Sequence, residues 1–274
     1  CQVDKFHGVG PFCIESGQAL KGSPSPTYTS VFGDAMVELA GKNPDVVGIT
    51  AAMSGGTGLD AFAAKFPERF FDVGIAEQHA VTMAAGLASQ GKRPVVAVYS
   101  TFSQRAFDSL IHAVCLQNLP VVLALDRAGL VGEDGPTHHG SFDLSFARMI
   151  PNLTIMAPKD EAELRDMLHT ALTVNGPVLL RYPRGRSEGF ELSAEPSLLP
   201  IGQGEWLRQG GDLVFVAVGT MVQAAVKAAD ILKKTGISAG VVNARFVKPL
   251  DEALLCKIAG HARYIVTLEE NSLM

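Results

Sequence analysis

The sequence predicts an α/β protein built on parallel sheets, and three observations support this fold class. Short apolar segments alternate with helical segments from residue 28 onward. The segments VVGITA, PVVAVYS and PVVLALD are nearly continuous apolar runs, which are typical of strands that helices cover on both faces. Hydrophobic residues make up 47% of the chain and charged residues 19%, so the chain can bury a large core.

Each element is predicted from its own periodicity or apolar run. In TSVFGDAMVELAGKN, apolar residues recur at helical spacing, and Thr29 or Ser30 can serve as the N-cap. The further helices of this part are DAFAAKF, residues 77–90, SQRAFDSLIHAVCLQN and DEAELRDMLHTALTV, and the further strands are RFFDVG, TIMAP and PVLLRYP. A shorter alternation follows, with strands DLVFVAVG, SAGVVNARF and YIVTL around the helices MVQAAVKAADILKKTG and DEALLCKIAG.

Turn residues divide the chain into four predicted parts. Residues 1–27 are rich in Gly, Pro and Ser and predict a linker arm, and residues 28–186 form the first α/β domain. Residues 187–204 form a second linker, and residues 205–274 form a smaller α/β domain. Because only three strands are predicted in the smaller domain, we expect its sheet to be incomplete and the chain to be a piece of a longer protein.

Composition and cysteine usage exclude several classes of function. The net charge of −5 disfavours nucleic acid as the main partner, since nucleic acid favours a basic face. No apolar run is long enough to span a membrane. The cysteines are scattered and lack CxxC spacing, which predicts reduced thiols in a cytoplasmic protein, with neither disulfides nor a zinc site. They are Cys1, Cys13, Cys115 and Cys256.

Polar side chains follow four of the predicted strands, at the point where each strand ends. In open parallel sheets, ligands bind beyond the carboxyl ends of the strands. Acidic, cationic and aromatic residues are therefore expected to converge at one edge of the sheet. They are Glu77, Tyr99, Phe102, Arg105, Asp126, Arg127, Asp134, His138 and Arg184.

Each of these residues also has a simpler interpretation. Glu77, in the first turn of its helix, either complements the helix dipole or is a buried carboxylate directed at a ligand. The adjacent His138 and His139 resemble metal ligands, but no Cys or Glu follows at ligand spacing, and DGP is a turn signature. Phe102 can be a core residue, and Arg105 and Arg184 can be solvated charges. The convergence of four strand ends favours a ligand site.

Several long motifs, taken in order, resemble the 1-deoxy-D-xylulose-5-phosphate synthase family. They are FDVGIAEQHAV, YSTFSQRAFD, DRAGLVGEDGPTHHGSFDLS, RYPRG and RFVKPLDEAL, and HGVGPF and TYTSVFGDAMVELA fit as well. The resemblance covers essentially the whole chain and implies a thiamine-diphosphate pyrimidine-binding domain followed by a transketolase C-terminal-like domain. Transketolases and the β subunits of 2-oxoacid dehydrogenases share the fold and the glutamate, but lack DRAGLVGEDGPTHHG.

The resemblance implies a transferase that uses thiamine diphosphate and Mg²⁺. It would condense pyruvate with glyceraldehyde 3-phosphate to 1-deoxy-D-xylulose 5-phosphate and CO₂, a step that feeds isoprenoid, thiamine and pyridoxal synthesis. The resemblance also implies a cytoplasmic homodimer.

The resemblance also assigns roles to residues. The glutamate matching Glu77 hydrogen-bonds a ring nitrogen of the aminopyrimidine, and Phe102 matches the aromatic residue that stacks on this ring. Arg127 and Arg184 match the residues that hold the phosphate of glyceraldehyde 3-phosphate. The other matches to active-site positions are Tyr99, Arg105, Asp134, His138 and His7.

In one respect the chain departs from the family pattern. The motif that binds Mg²⁺ and diphosphate belongs to an N-terminal domain that this sequence does not contain, so no metal ligand is expected in the chain itself. Two alternatives remain open. The chain can belong to another thiamine enzyme, either a transketolase or a 2-oxoacid dehydrogenase β component. It can also be a non-catalytic fragment that acts as a structural or dimerisation module.

Overall fold

The computed structural model describes residues 12–18, 26–186 and 189–272, which form two sheets covered by helices. In this part of the chain the strands are β1 (Val46–Thr50), β2 (Phe70–Asp72), β3 (Arg93–Tyr99), β4 (Val122–Asp126), β5 (Thr154–Met156), β6 (Val178–Arg181), β7 (Glu205–Arg208), β8 (Leu213–Ala217), β9 (Ala239–Asn243), β10 (Phe246–Lys248) and β11 (Tyr264–Leu268). The larger sheet has seven strands in the order β10-β5-β6-β4-β3-β1-β2, and the smaller has four in the order β11-β8-β9-β7.

Parallel pairing dominates both sheets, so the predicted α/β fold class is confirmed. In the larger sheet only β10 runs antiparallel, against β5, and in the smaller sheet only β7 does, against β9. The sequence did not predict β7, because its charged ends Glu205 and Arg208 interrupt the apolar pattern. The predicted strand SAGVVNARF is also wrong as one element, since it divides into β9 and β10, which lie in different sheets.

Helices connect most of the successive strands and cover both sheets. They are α1 (Tyr28–Lys42), α2 (Asp60–Lys65), α3 (Glu77–Ser89), α4 (Ser100–Ser103), α5 (Phe107–Ser109), α6 (Asp143–Arg148), α7 (Glu161–Ala171), α8 (Met221–Lys233) and α9 (Glu252–Ala259). The buried side chains of α3 pack against one face of the larger sheet, and those of α1 and α7 pack against the other. None of the helices in the described ranges is long and apolar enough to cross a bilayer.

Two helical predictions differ in detail from the structure. The N-cap of α1 is Thr27, one residue before the helix, and neither Thr29 nor Ser30. The Thr27 hydroxyl accepts from the Ser30 amide at 3.1 Å and the Ser30 hydroxyl accepts from the Thr27 amide at 2.9 Å, which makes a reciprocal capping box. The helix predicted over SQRAFDSLIHAVCLQN is divided into α4, α5, a 3₁₀ turn at Gln104–Ala106 and a π-helical turn at Leu110–Cys115.

The chain from β9 onward also contacts the larger sheet and the loop after β4. The Asn243 side chain, at the end of β9, donates to the buried Glu163 carboxylate at 2.9 Å. The Ser272 amide donates to the Ser141 carbonyl at 2.8 Å, and the Glu270 side chain packs against Gly129. The contacts of Ser272 and Glu270 hold the loop from Arg127 to Ser141 against the segment that follows β11.

Gly33→Ala should destabilise the protein, whereas Gly41→Ala in the same helix should stabilise it. A Cβ added at Gly33 would overlap the carbonyl oxygen of Gly58, while a Cβ at Gly41 would meet open space. We expect the free energy of unfolding to fall by about 1–3 kcal/mol for Gly33→Ala, as for other overpacked sites. For Gly41→Ala it should rise by about 0.5–1 kcal/mol, because alanine restricts the unfolded chain. Denaturant unfolding measures both, and a neutral Gly33→Ala would contradict the close helix–loop contact.

Candidate functional site

Glu77 lies at the first position of α3 and is 4% exposed. The turn before it depends on Gly74, whose φ of +71° is unfavourable for other residues. The Asp72 carboxylate fixes this turn, since it accepts from the Gly74 amide at 2.9 Å and from the Ala52 amide at 2.7 Å. The residue before the helix, Ala76, offers no side-chain cap. The strand, the glycine turn and the helix together place a carboxylate in the interior at the sheet edge.

The Glu77 carboxylate is poorly satisfied by the protein. Its Oε2 atom lies 3.0 Å from Nη1 of Arg105, a side chain that is half exposed. The two groups are close enough to attract each other, but their angles are not those of a hydrogen bond. Oε2 is therefore a buried acceptor without a hydrogen-bond donor among the described residues. A buried charge with so little support is costly, and such groups concentrate at ligand sites.

An aromatic group lies at the end of β3. The rings of Tyr99 and Phe102 stack with centroids 5.7 Å apart, and the His138 ring meets the Phe102 ring edge-on at 5.5 Å. Burial raises the pKa of Tyr99 to about 12, so its hydroxyl stays protonated at neutral pH. Phe102 is only partly buried and can offer a ring face to a flat ligand.

Arg127 follows β4 in a left-handed conformation, with φ of +60°. Its guanidinium carbon lies 3.7 Å from the centroid of the Tyr99 ring, within cation–π distance. Its Nη1 donates to the Gly56 carbonyl at 3.0 Å, and its Nε donates to Asp134 Oδ2 at 3.1 Å. The side chain thus joins β3, the loop after β1 and the loop after β4.

Asp134 lies between two arginines. Its Oδ2 atom is 3.1 Å from Nε of Arg127 and 3.1 Å from Nε of Arg184. Local sequence spacing does not indicate this arrangement, because Asp134 lies 7 positions after Arg127 and 50 positions before Arg184. Beside the pair is a cavity of about 420 Å³, whose lining residues are mostly small, polar or cationic: Thr27, Thr29, Gly55, Gly56, Arg127, Arg184, Gly185 and Arg186.

The predicted site residues fall into three groups. Glu77 and Arg105 form the first, Tyr99, Phe102 and His138 the second, and Arg127, Asp134 and Arg184 the third. The second and third groups touch through the contact between Arg127 and Tyr99. His7 lies outside the described residues. The functional roles of all these residues stay predictions.

The sequence interpretation passed over two contributors to this edge. Gly56 supplies the carbonyl that accepts from Arg127, and a Cβ there would overlap the Tyr99 hydroxyl. The signal was the glycine-rich SGGTG segment directly after β1. Thr29 was considered only as a helix cap, yet its hydroxyl donates to Asp126 Oδ2 at 2.6 Å.

The two adjacent histidines have different environments. The Nδ1 atom of His139 accepts from the Val131 amide at 3.1 Å, whereas His138 faces the aromatic group. Across the described part of the chain, no three His, Cys, Asp or Glu side chains cluster in a way that could hold a metal ion.

Glu77→Gln should raise the free energy of unfolding, which separates the two interpretations of this residue. If Glu77 merely complemented the helix dipole, neutralising it would lower that free energy by about 0.3–1 kcal/mol. Because Oε2 is buried and no described residue donates a hydrogen bond to it, we instead expect a gain of about 1 kcal/mol, at the low end of the cost of an unsatisfied buried group. Chemical denaturation at pH 7 measures the difference.

Glu161 provides the matched control for this experiment. It is also buried at the first position of a helix, and its Oε2, like that of Glu77, has no hydrogen-bond donor among the described residues. The difference is that its Oε1 accepts from the amides of Gly189 at 2.8 Å and Phe190 at 2.7 Å. Glu161→Gln weakens two charge-assisted bonds and should therefore destabilise the protein. Equal losses in the two variants would mean that Glu77 has only a structural role.

Two family models match the chain. The transketolase pyrimidine-binding domain matches residues 24–188, and the transketolase C-terminal domain matches residues 202–274. The 1-deoxy-D-xylulose-5-phosphate synthase of Carboxydothermus hydrogenoformans is 60% identical over 268 residues, and that of Desulfotalea psychrophila is 58% identical over 273 residues. Each alignment includes 98% of this chain, and the chain spans only 43% and 42% of these two relatives.

Solved structures match the fold as well. A split-gene transketolase, described as an inactive β4 tetramer, superposes with a TM-score of 0.81 at 36% identity, over 91% of this chain and 81% of that one. A transketolase from Campylobacter jejuni superposes with a TM-score of 0.75 at 18% identity, over 91% of this chain and 43% of that one, which supports the fold alone. The chain belongs to the transketolase family, with a pyrimidine-binding domain followed by a transketolase C-terminal domain.

Proposed function

We propose that this chain is the pyrimidine-binding and C-terminal part of a 1-deoxy-D-xylulose-5-phosphate synthase. The enzyme condenses pyruvate with glyceraldehyde 3-phosphate and releases CO₂. The observation that carries the proposal is the buried Oε2 of Glu77, which has no hydrogen-bond donor among the described residues and lies at the sheet edge where Arg127 and Arg184 converge. Identities of 58–60% to synthases of this name support it over a transketolase or a 2-oxoacid dehydrogenase component.

The residues present fit the pyrimidine half of thiamine diphosphate. Glu77 has a buried oxygen without a hydrogen-bond donor among the described residues, which can share a hydrogen bond with a ring nitrogen, and Phe102 can pack against the ring. When bound, the cofactor supplies the nucleophilic carbon that the decarboxylation of pyruvate requires. The protein orients it and holds the Glu77 carboxyl group in a buried setting, where a hydrogen bond that shares a proton with the ring nitrogen is stronger than in water.

The diphosphate and its Mg²⁺ need ligands from elsewhere. We expect them in a further region of the polypeptide or in a separate subunit, and the inactive β4 assembly of the split-gene relative supports this requirement. We also propose that the protein works as a cytoplasmic homodimer, in keeping with the transketolase family and with the scattered cysteines.

Arg127 and Arg184 fit the phosphate group of the acceptor substrate. Arginine presents several donors in one plane and pairs well with phosphate oxygens. Both guanidinium groups already share one carboxylate oxygen of Asp134, so they can share an anion. A substrate phosphate would compete with Asp134 for these donors.

Glu77→Gln in the complete enzyme should abolish most of the conversion of pyruvate and glyceraldehyde 3-phosphate to 1-deoxy-D-xylulose 5-phosphate. Groups that assist proton transfer contribute roughly a hundredfold to ten-thousandfold to kcat. Product analysis by chromatography measures the rate and identifies the product. Near-normal turnover of the variant would remove Glu77 from the mechanism. Formation of a product only from a ketose phosphate donor would assign the chain to the transketolases.

Arg184→Ala should raise the KM for glyceraldehyde 3-phosphate by roughly tenfold to a hundredfold, the effect of losing a hydrogen bond between charged groups. The KM for pyruvate should change much less, because pyruvate carries no phosphate. Arg208→Ala is the matched control, since Arg208 is also 33% exposed and also pairs with one aspartate, Asp230, but lies in the second sheet. Equal increases in both KM values would contradict the phosphate role.

A further inference from the structure

Asp126 is a fully buried carboxylate that the proposed chemistry does not use. It ends β4 with 0% of its surface exposed. Its Oδ2 accepts from the Thr29 hydroxyl at 2.6 Å, and its Oδ1 accepts from the Arg127 amide at 2.7 Å. The same Oδ1 lies 3.3 Å from Nη1 of Arg127. Both oxygens of Asp126 are therefore directed at groups that determine the position of Arg127.

Keeping a carboxylate at this place is energetically unfavourable. Burial raises the pKa of Asp126 to about 6, although Arg127 and Thr29 favour the ionised form. An asparagine or an apolar residue would avoid this cost, since a buried charge loses its hydration. Thr29 reaches the carboxylate from α1, which is 97 residues away in the sequence. A contact that joins two distant elements at such a cost points to a role beyond packing.

Arg127 needs external support to keep its geometry. Its backbone is left-handed, a conformation that disfavours residues with a Cβ. Its guanidinium must lie above Tyr99 while donating to Gly56 and Asp134 in different directions. The Asp126 carboxylate accepts from the backbone amide of Arg127 and contacts its guanidinium, and so restrains both ends of Arg127. Without this restraint, anion binding would have to order the long, flexible Arg127 side chain, and the affinity for the anion would be lower.

We propose that Asp126 and Thr29 are positioning residues that hold Arg127 in the orientation required to bind the phosphate of the acceptor, an inference that rests on the phosphate role of Arg127. Thr29 donates to Asp126, and Asp126 in turn holds the backbone and the guanidinium of Arg127.

Electrostatics and positioning predict opposite results for Asp126→Asn. The variant loses a negative charge close to the anion site, so electrostatics alone would make an anion bind more tightly. If Asp126 positions Arg127, the anion should bind more weakly instead. Thr29→Val removes the hydroxyl without changing the charge, and so tests positioning free of that electrostatic effect.

The test measures sulfate binding to the complete enzyme saturated with thiamine diphosphate and Mg²⁺, by equilibrium dialysis at pH 8. Sulfate is a suitable probe, because it stays a dianion across the accessible pH range. We expect the Kd for sulfate to rise roughly threefold to tenfold in both variants, about the effect of one hydrogen bond. Thr235→Val is the control, since the Thr235 hydroxyl donates to Leu232 within its own helix end and should leave the Kd unchanged.

Kinetics and crystal structures of the variants complete the test. The KM for glyceraldehyde 3-phosphate should rise with the Kd for sulfate, while kcat and the KM for pyruvate change little. In the crystal structure of Thr29→Val the Arg127 guanidinium should leave its place above the Tyr99 ring. Tighter sulfate binding by Asp126→Asn, or an unmoved guanidinium in both variants, would overturn the proposal. If wild-type enzyme bound no sulfate, the phosphate role would fail, and the position of Arg127 in the variants would still decide the positioning role.

Discussion

The guanidinium of Arg127 is the contact on which the geometry of the functional edge depends. It lies 3.7 Å from the centroid of the Tyr99 ring, donates to Gly56 and shares Asp134 with Arg184. Each of these groups belongs to a different segment of the chain. Since the guanidinium is planar and always charged, one side chain can satisfy a ring face, a carbonyl and a carboxylate at once. The loops that meet here are ordered around this one cation.

Buried acidic groups at this end of the sheet differ in how well the protein satisfies them. Asp126 accepts from a hydroxyl and an amide. Oε1 of Glu161 accepts from two amides, although Oε2 of Glu161 has no donor among the described residues. Glu77 has a half-exposed cation nearby and one oxygen without a hydrogen-bond donor among the described residues. The first two are held by the fold. Glu77 is left available for a ligand. Functional sites often contain groups of this kind, which lower the stability of the folded protein.

The second sheet contributes to the site through the loop after β4. Strand β10 joins the edge of the larger sheet, and the chain after β11 contacts Gly129 and Ser141. Asn243 and Glu163 bond to each other out of contact with solvent at the junction. Strands β9 and β10 follow each other in the chain but lie in different sheets. This short connection links the two sheets more firmly than surface contacts alone would. The loop that carries Asp134 is contacted by the segment after β11 at Gly129, before Asp134, and at Ser141, after it.

The sequence by itself determined the fold class, the family resemblance and strands β1 to β6, β8 and β11, because apolar runs and helical periodicity report which faces are buried. It missed β7 and merged β9 with β10. It predicted that Glu77 and Arg127 belong to one edge, since parallel strands place their carboxyl ends together. Only the tertiary structure decided which groups pair there. Asp134 between two arginines depends on the path of a loop, and the Gly56–Arg127 bond joins residues 71 positions apart. Local patterns cannot specify such partners, because they arise from the approach of segments that are distant in sequence.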